Sequence, residues 1–398
     1  MMNRRLLFVL LGVVACAGIL YGGFLLWNSS SGAYAEAATI AEGARDFKEL
    51  SQRFEDLATE EGAVYAFEVL KRATLPPNTD THLLGHVVGD QLYLQEGVDG
   101  IQYCTQDFRN ACSHTIVIGA LEEFGGEAAL ALIRDACKKA PGGPGAYTMC
   151  YHGLGHGVFA FYEYSFPETV DFCKKTGTDE YRNREYVECV GGAVMELMGG
   201  GGHDPELWEK SREKYLTKEE PLAPCTADYI PDEAKNICII YLTPRIWEVA
   251  GINMGHPEPE KFADAFRLCD LLPRGNKELR DSCYGGFGKE FPTLANNRDI
   301  RDMNTLTDEA LAKVVSWCKL APEEGVVPCF TSSLRSLFWG GENNPELSFR
   351  FCRVAADDKK LERACYENLG IEIRQYLKGE NSEAQCARLP EYAQAVCS

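Results

Sequence analysis

The stretch that decides the fold runs Ala129-Leu130-Ala131-Leu132-Ile133-Arg134-Asp135-Ala136-Cys137, then a polar segment over 138–149, then Cys150-Tyr151-His152-Gly153-Leu154-Gly155-His156. Its first part spaces apolar residues three and four apart, as one face of a helix does. Lys, Pro and Gly then interrupt the pattern, and a second apolar segment opens at the second cysteine. The stretch therefore reads as helix, loop and helix, with one cysteine on each side of the loop. Antiparallel helices joined by a short loop bring two such positions together, so a disulfide inside the hairpin is the simplest pairing.

The unit recurs along the chain. Of 17 cysteines, Cys16 stands alone and the others fall into successive pairs: Cys104/Cys112, Cys137/Cys150, Cys173/Cys189, Cys225/Cys238, Cys269/Cys283, Cys318/Cys329, Cys352/Cys365 and Cys386/Cys397. First members recur every 33 to 52 residues, the spacing of stacked helical hairpins. Four first helices share a start signal: Pro167-Glu168, Pro205-Glu206, Pro259-Glu260 and Pro345-Glu346. Proline is tolerated at the first helical position, and an acid there suits the helix dipole. Strict two-residue alternation is scarce, so the expected fold is all-α: a disulfide-stapled array, or solenoid, of helical-hairpin repeats.

The N-terminus places this array. Arg4 and Arg5 precede an uncharged apolar run from Leu6 to Trp27, 22 residues long. As a helix it reaches roughly 33 Å, enough to cross a bilayer core. The basic residues come first, which puts the N-terminus in the cytoplasm and the rest of the chain outside. Two cleaved alternatives compete with a retained signal-anchor. Val13-Val14-Ala15-Cys16 resembles a lipoprotein signal box, and Ala33-Tyr34-Ala35 resembles a signal-peptidase site that would yield a secreted protein. All three export the remainder, where paired cysteines oxidise. The expected organisation is a stub and transmembrane helix over 1–27, a linker over 28–39, His-rich membrane-proximal hairpins over 40–160 and Cys-paired hairpins over 161–398.

A net charge of −19 argues against a nucleic-acid or anionic-membrane surface. The 45% hydrophobic content suffices for a large core.

Five of the seven histidines fall between positions 82 and 156. His82-Leu83-Leu84-Gly85-His86 and His152-Gly153-Leu154-Gly155-His156 are both H-x-x-G-H, and His114 lies between them. Histidines four apart share a helix face. His114 and His152 each lie two residues after a second cysteine, a slot that holds Gly191 and Gly285 in later hairpins. Four residues on, the slot holds His156, Met195 and Lys289. His82 and His86 fit this register if Asp80 takes the place of a missing cysteine and 62–73 forms the preceding helix. Later hairpins lack the histidines, so the fold does not need them. Gly153, Gly155 and Gly157 inside a helix permit close approach of another helix or of a flat cofactor.

The spacing excludes familiar chemistries. Leu83 and Gly153 stand where a zinc protease carries its glutamate. No C-x-x-C occurs, which disfavours thiol redox, zinc-finger and covalent c-type haem readings. A Cys–His nucleophile is disfavoured by the cysteine pairing. His203 and His256 read as solvated or capping residues in loops before helix starts. Asp90, one turn beyond His86, reads as a solvated helix face more readily than as a carboxylate partner.

The expectation is a membrane-anchored extracytoplasmic protein that binds a metal ion or haem through His82, His86, His114, His152 and His156. Neutral imidazoles suit iron, copper or zinc, or the axial positions of a non-covalent haem. A redox or oxygen-handling centre is one use of such a set. The alternative is an extracytoplasmic scaffold whose repeats bind a protein or peptide partner in the envelope, with the histidines serving as packing residues.

Overall fold

The structure is a computed structural model describing residues 32–397, apart from 78, 106, 200–204, 254–257, 302, 341–342 and 378. All regular elements among the described residues are helical, and none is long and apolar enough to cross a membrane. The apolar run over 6–27 lies outside the described residues. So do His203 and His256.

The chain divides into two compact units, Met1–Pro76 and Pro77–Ser398. In the first, residues 32–39 form α1, where a linker was expected. Ala33 and Ala37, four apart on one helix face, are buried there. Helix α2 (Phe47–Glu61) buries Leu50, Phe54 and Ala58, and α3 (Ala63–Arg72) buries Ala66, Phe67 and Leu70. The two pack together around Gly62, whose φ of 96° makes the turn between them. The segment expected to lead into the first H-x-x-G-H helix thus pairs with α2 inside its own unit.

The second unit holds α4 (Thr81–Glu96), α5 (Ala111–Phe124), α6 (Gly126–Lys139), α7 (Gly143–Phe161), α8 (Phe166–Lys174), α9 (Arg184–Gly199) and α10 (Pro205–Tyr215). It continues with α11 (Asp232–Tyr241), α12 (Thr243–Val249), α13 (Pro259–Phe266), α14 (Lys277–Ala295), α15 (Asp308–Cys318) and α16 (Glu323–Gly340). Helices α17 (Pro345–Val354), α18 (Lys359–Tyr376), α19 (Gly379–Cys386) and α20 (Glu391–Cys397) complete it. All four Pro-Glu signals fall at helix starts, at α8, α10, α13 and α17.

The eight cysteine pairs are bridged as the spacing predicts, with Cα–Cα distances of 5.3–5.8 Å. All these cysteines except Cys386 are buried, so the bridges are part of the core. The hairpins are less uniform than expected. Cys104 and Cys269 end or occupy 3₁₀ turns, and Cys225 sits in a turn outside any helix. Cys150, Cys189 and Cys283 lie inside their helices and not at the start, because α7, α9 and α14 begin before the cysteine.

The helices carrying the second cysteines lie side by side in chain order. Helix α4 packs on α5, α5 on α7, α7 on α9, α9 on α11, α11 on α14, α14 on α16 and α16 on α18. Helices α6, α8, α15 and α17 cover this row, each against the helix that follows it. The row curls back on itself. Helix α18 touches α7, and Arg184 donates to the Tyr376 hydroxyl at 3.4 Å. Arg298 pairs with Asp80 at 3.8 Å, and Arg109 donates to the Thr293 hydroxyl. The second unit therefore encloses an interior, and the five histidines, Met195 and Lys289 face into it.

Candidate metal centre

Three helices supply five histidines. Asp80 caps α4 by accepting from the Leu83 amide at 3.0 Å, which fixes the first turn and with it His82. In each H-x-x-G-H the glycine seats the next helix while the flanking histidines face the interior. A Cβ on Gly85 would lie 2.8 Å from the Ala111 Cβ of α5. A Cβ on Gly155 would overlap the Cys189 carbonyl of α9, and one on Gly153 would overlap the His114 ring and Cα. The absent side chains let α4, α5, α7 and α9 approach closely enough for their imidazoles to meet.

All five do meet. Ring centroids lie 4.7 Å apart for His82/His86, 5.5 Å for His82/His114, 5.6 Å for His114/His156 and 5.2 Å for His152/His156. The Nε2 atoms of His82 and His86 are 3.2 Å apart. Ligand nitrogens of His82, His86 and His114 all fall within 4.8 Å of one another. Two nitrogens bound to one ion at about 2.1 Å stand roughly 3 to 3.4 Å apart, so the His82/His86 separation suits chelation.

The outer partners orient the rings. His82 Nδ1–H donates to the Phe108 carbonyl at 2.6 Å, which leaves the Nε2 lone pair of the neutral ring to accept from His86 Nε2–H at 3.2 Å. His156 Nδ1–H donates to Glu196 at 3.0 Å, and its buried Nε2 has no hydrogen-bond partner among the described residues. Both nitrogens of His114 are buried with no hydrogen-bond partner among the described residues. The Glu188 carboxylate lies 3.6 Å from His152 Nδ1, too far for a direct hydrogen bond, and the Met195 sulfur lies 3.4 Å from His152 Nε2. A carboxylate or carbonyl behind an imidazole is the usual support of a metal-binding histidine.

Burial keeps the rings of His82, His114 and His152 neutral. Desolvation pushes His82 and His152 down to about 4, against partial compensation from the Phe108 carbonyl and Glu188 respectively. His114 is lowered well below its ordinary value by burial first and by its four histidine neighbours second. A neutral imidazole carries the lone pair that a metal ligand requires.

Asp90 is exposed, so the buried carboxylates at the cluster come instead from α9. Glu188 and Glu196 are 6% and 5% exposed, two acids within the otherwise apolar run Val187–Leu197. Acids at core positions of an apolar helix were the available signal, because a buried charge needs a partner.

Two chambers flank the histidines. A smaller one of about 200 Å³ meets His114 and His152, and a larger one of about 590 Å³ meets His86 and His156. His82, Arg109, Met195, Tyr241 and Lys289 border both. The Lys289 ammonium lies 4.9 Å from the Tyr241 ring centre and pairs with Glu290, and Tyr241 packs 4.6 Å from the His152 ring. Arg109 reaches this boundary from a left-handed turn. Phe108, Arg109 and Asn110 have φ of 55°, 54° and 65°. For residues other than glycine such a conformation costs about 1–2 kcal/mol each. It presents the Phe108 carbonyl to His82 and the Arg109 side chain to the interior.

Compared with protein-family models, curated proteins and solved structures, the chain matches none.

Proposed function

We propose that this chain is a membrane-anchored extracytoplasmic protein whose array of disulfide-stapled hairpins holds a transition-metal ion among five histidines. The single observation behind the reading is the convergence of His82 and His86 Nε2 at 3.2 Å, beside a His114 whose two buried nitrogens have no partner among the described residues. Unpartnered buried nitrogens are rare and call for an explanation such as a bound ion. In this reading His82, His86 and His114 are the primary ligands. His156, backed by Glu196, and His152, beside Met195, extend the set.

Imidazoles suit copper, iron and zinc, and the Met195 thioether adds a preference for copper in its reduced state. A free ion fits better than haem. The glycine gap at Gly153 that would admit a flat macrocycle is filled by His114 and the α5 backbone. The anchoring helix over 6–27 is carried into this reading from its length and flanking charge.

The test is metal content. Full-length chain, produced under oxidising conditions and reconstituted separately with copper, iron and zinc, is expected to retain one of them stoichiometrically by plasma mass spectrometry. The variant combining His82→Ala, His86→Ala and His114→Ala is expected to lose it while keeping its helical circular dichroism. Stoichiometric retention by that variant, or no retention by the parent, overturns the reading.

A further inference from the structure

We propose that the smaller chamber binds a small organic anion, a carboxylate on a single-ring or short branched body, and that Arg109 anchors it. The chain carries a net charge of −19, yet this chamber reverses the balance. Five cations, Arg109, Arg184, Lys289, Arg301 and Arg335, line it against two acids, Asp107 and Glu188.

Four of the cations are matched by carboxylates: Arg184 faces Glu188 at 3.9 Å, Arg301 binds Asp299 at 2.6 Å, Arg335 binds Glu372 at 3.2 Å, and Lys289 binds Glu290. Arg109 differs. Its hydrogen-bond partner among the described residues is the neutral Thr293 hydroxyl, and the nearby Glu290 carboxylate is already bound to Lys289. A guanidinium offers five donors in a planar fork that suits a carboxylate bidentately. One hydroxyl leaves most of that fork unused in a half-buried position, and the Glu290 charge within its reach is shared with Lys289. The strained turn over Phe108–Asn110 holds the group there, and strain of this kind gathers at ligand sites.

The rest of the lining sets the body of the ligand. Met149, Met195, Ile237, Ile240, Tyr241 and Trp339 provide apolar and aromatic walls. The volume of about 200 Å³ exceeds the 150 Å³ or so that accommodates benzene in an apolar protein cavity. One ring, or a branched chain of similar bulk, fills it. An anion on Arg109 would lie beside His82 and His114. Its role as a substrate or co-ligand of the centre rests on the metal reading, whereas binding itself does not.

The experiment titrates metal-free, full-length chain in detergent with benzoate, benzamide and sulfate by calorimetry. Benzoate is expected to bind one site, with its neutral isostere benzamide and inorganic sulfate each about tenfold weaker or more. Arg109→Gln is expected to weaken benzoate by a similar factor, and Arg109→Lys, which keeps the charge but not the fork, to fall between. Equal binding of benzoate and benzamide overturns the proposal, as does binding of sulfate as tight as benzoate. Unchanged benzoate binding by both Arg109 variants, or no benzoate binding by the parent, also overturns it. Metal retention, measured on aliquots of the same preparations reconstituted with copper, iron or zinc, separates the two ideas. Loss of metal with benzoate binding intact sinks only the metal centre, and retained metal without benzoate binding sinks only the anion site.

Discussion

Gly155 of α7 and Cys189 of α9 meet backbone to backbone, with the glycine Cα seated where any Cβ would overlap the cysteine carbonyl oxygen. The contact recurs three hairpins later in the chain, where Gly288 of α14 meets the Cys329 carbonyl of α16. Both glycines lie five residues after a second cysteine, and both face the second cysteine of the next paired helix. The H-x-x-G-H motif is thus a helix-seating glycine flanked by two interior histidines.

Gly155→Ala is expected to destabilise the protein by about 3 kcal/mol or more, since overpacking here meets rigid backbone. Gly285→Ala is its control. A Cβ there meets nothing nearer than Ser332 Cβ at 3.5 Å, an ordinary contact. Helix propensity then makes the change neutral or stabilising by up to about 1 kcal/mol. Urea unfolding followed by circular dichroism distinguishes the two.

Glu196→Gln removes the charge behind His156 while keeping its shape. Loss of such a supporting group typically lowers metal affinity about 10- to 100-fold. Competition with a chelator of known affinity measures it. Asp90→Asn, at an exposed position on α4, is expected to leave affinity unchanged.

The metal-free protein is expected to lose stability as pH falls from about 6.5 to 4. In the unfolded chain histidine titrates near 6.5. Folded His82 and His152 resist protonation until about 4. Between those values the unfolded state binds protons that the folded state refuses, so stability rises with pH through this window and is complete above it. Denaturant midpoints measured from pH 4 to 8 give the slope, and replacing His152 by Phe should flatten it.

Joint replacement of Cys173 and Cys189 by Ser opens a loop with a sequence separation of 16 and is expected to cost about 3 kcal/mol by the loop-entropy relation. Peptide mapping without reduction is expected to recover eight bridges, each within one hairpin. A bridge between distant hairpins contradicts the register.

Much of the site was legible because its frame is local. A bridge spanning 8 to 16 residues closes within one hairpin, so counting cysteines recovers the pairing without knowledge of the rest. Pro-Glu marks helix starts by backbone chemistry alone. The histidines then fall into one slot of successive helices, and neighbouring helices at one register bring their side chains together. The irregular elements were not legible. Nothing local announces that Phe108–Asn110 adopts a left-handed turn, or that 32–39 folds as helix, because packing against other elements decides both.

What surrounds the histidines came from farther away in the chain. Glu196 lies 40 residues from His156, the Phe108 carbonyl 26 from His82, Thr293 184 from Arg109 and Tyr376 192 from Arg184. Sequence by itself determined the hairpin helices marked by Pro-Glu, the disulfides and the five histidines in register, since each depends on contacts within one hairpin or between adjacent ones. Only the tertiary structure decided that the row curls back on itself, which carboxylates stand behind the imidazoles, and that a cation-lined chamber lies beside them. Those outcomes depend on the summed curvature of many helix crossings, and no short stretch of sequence encodes that sum.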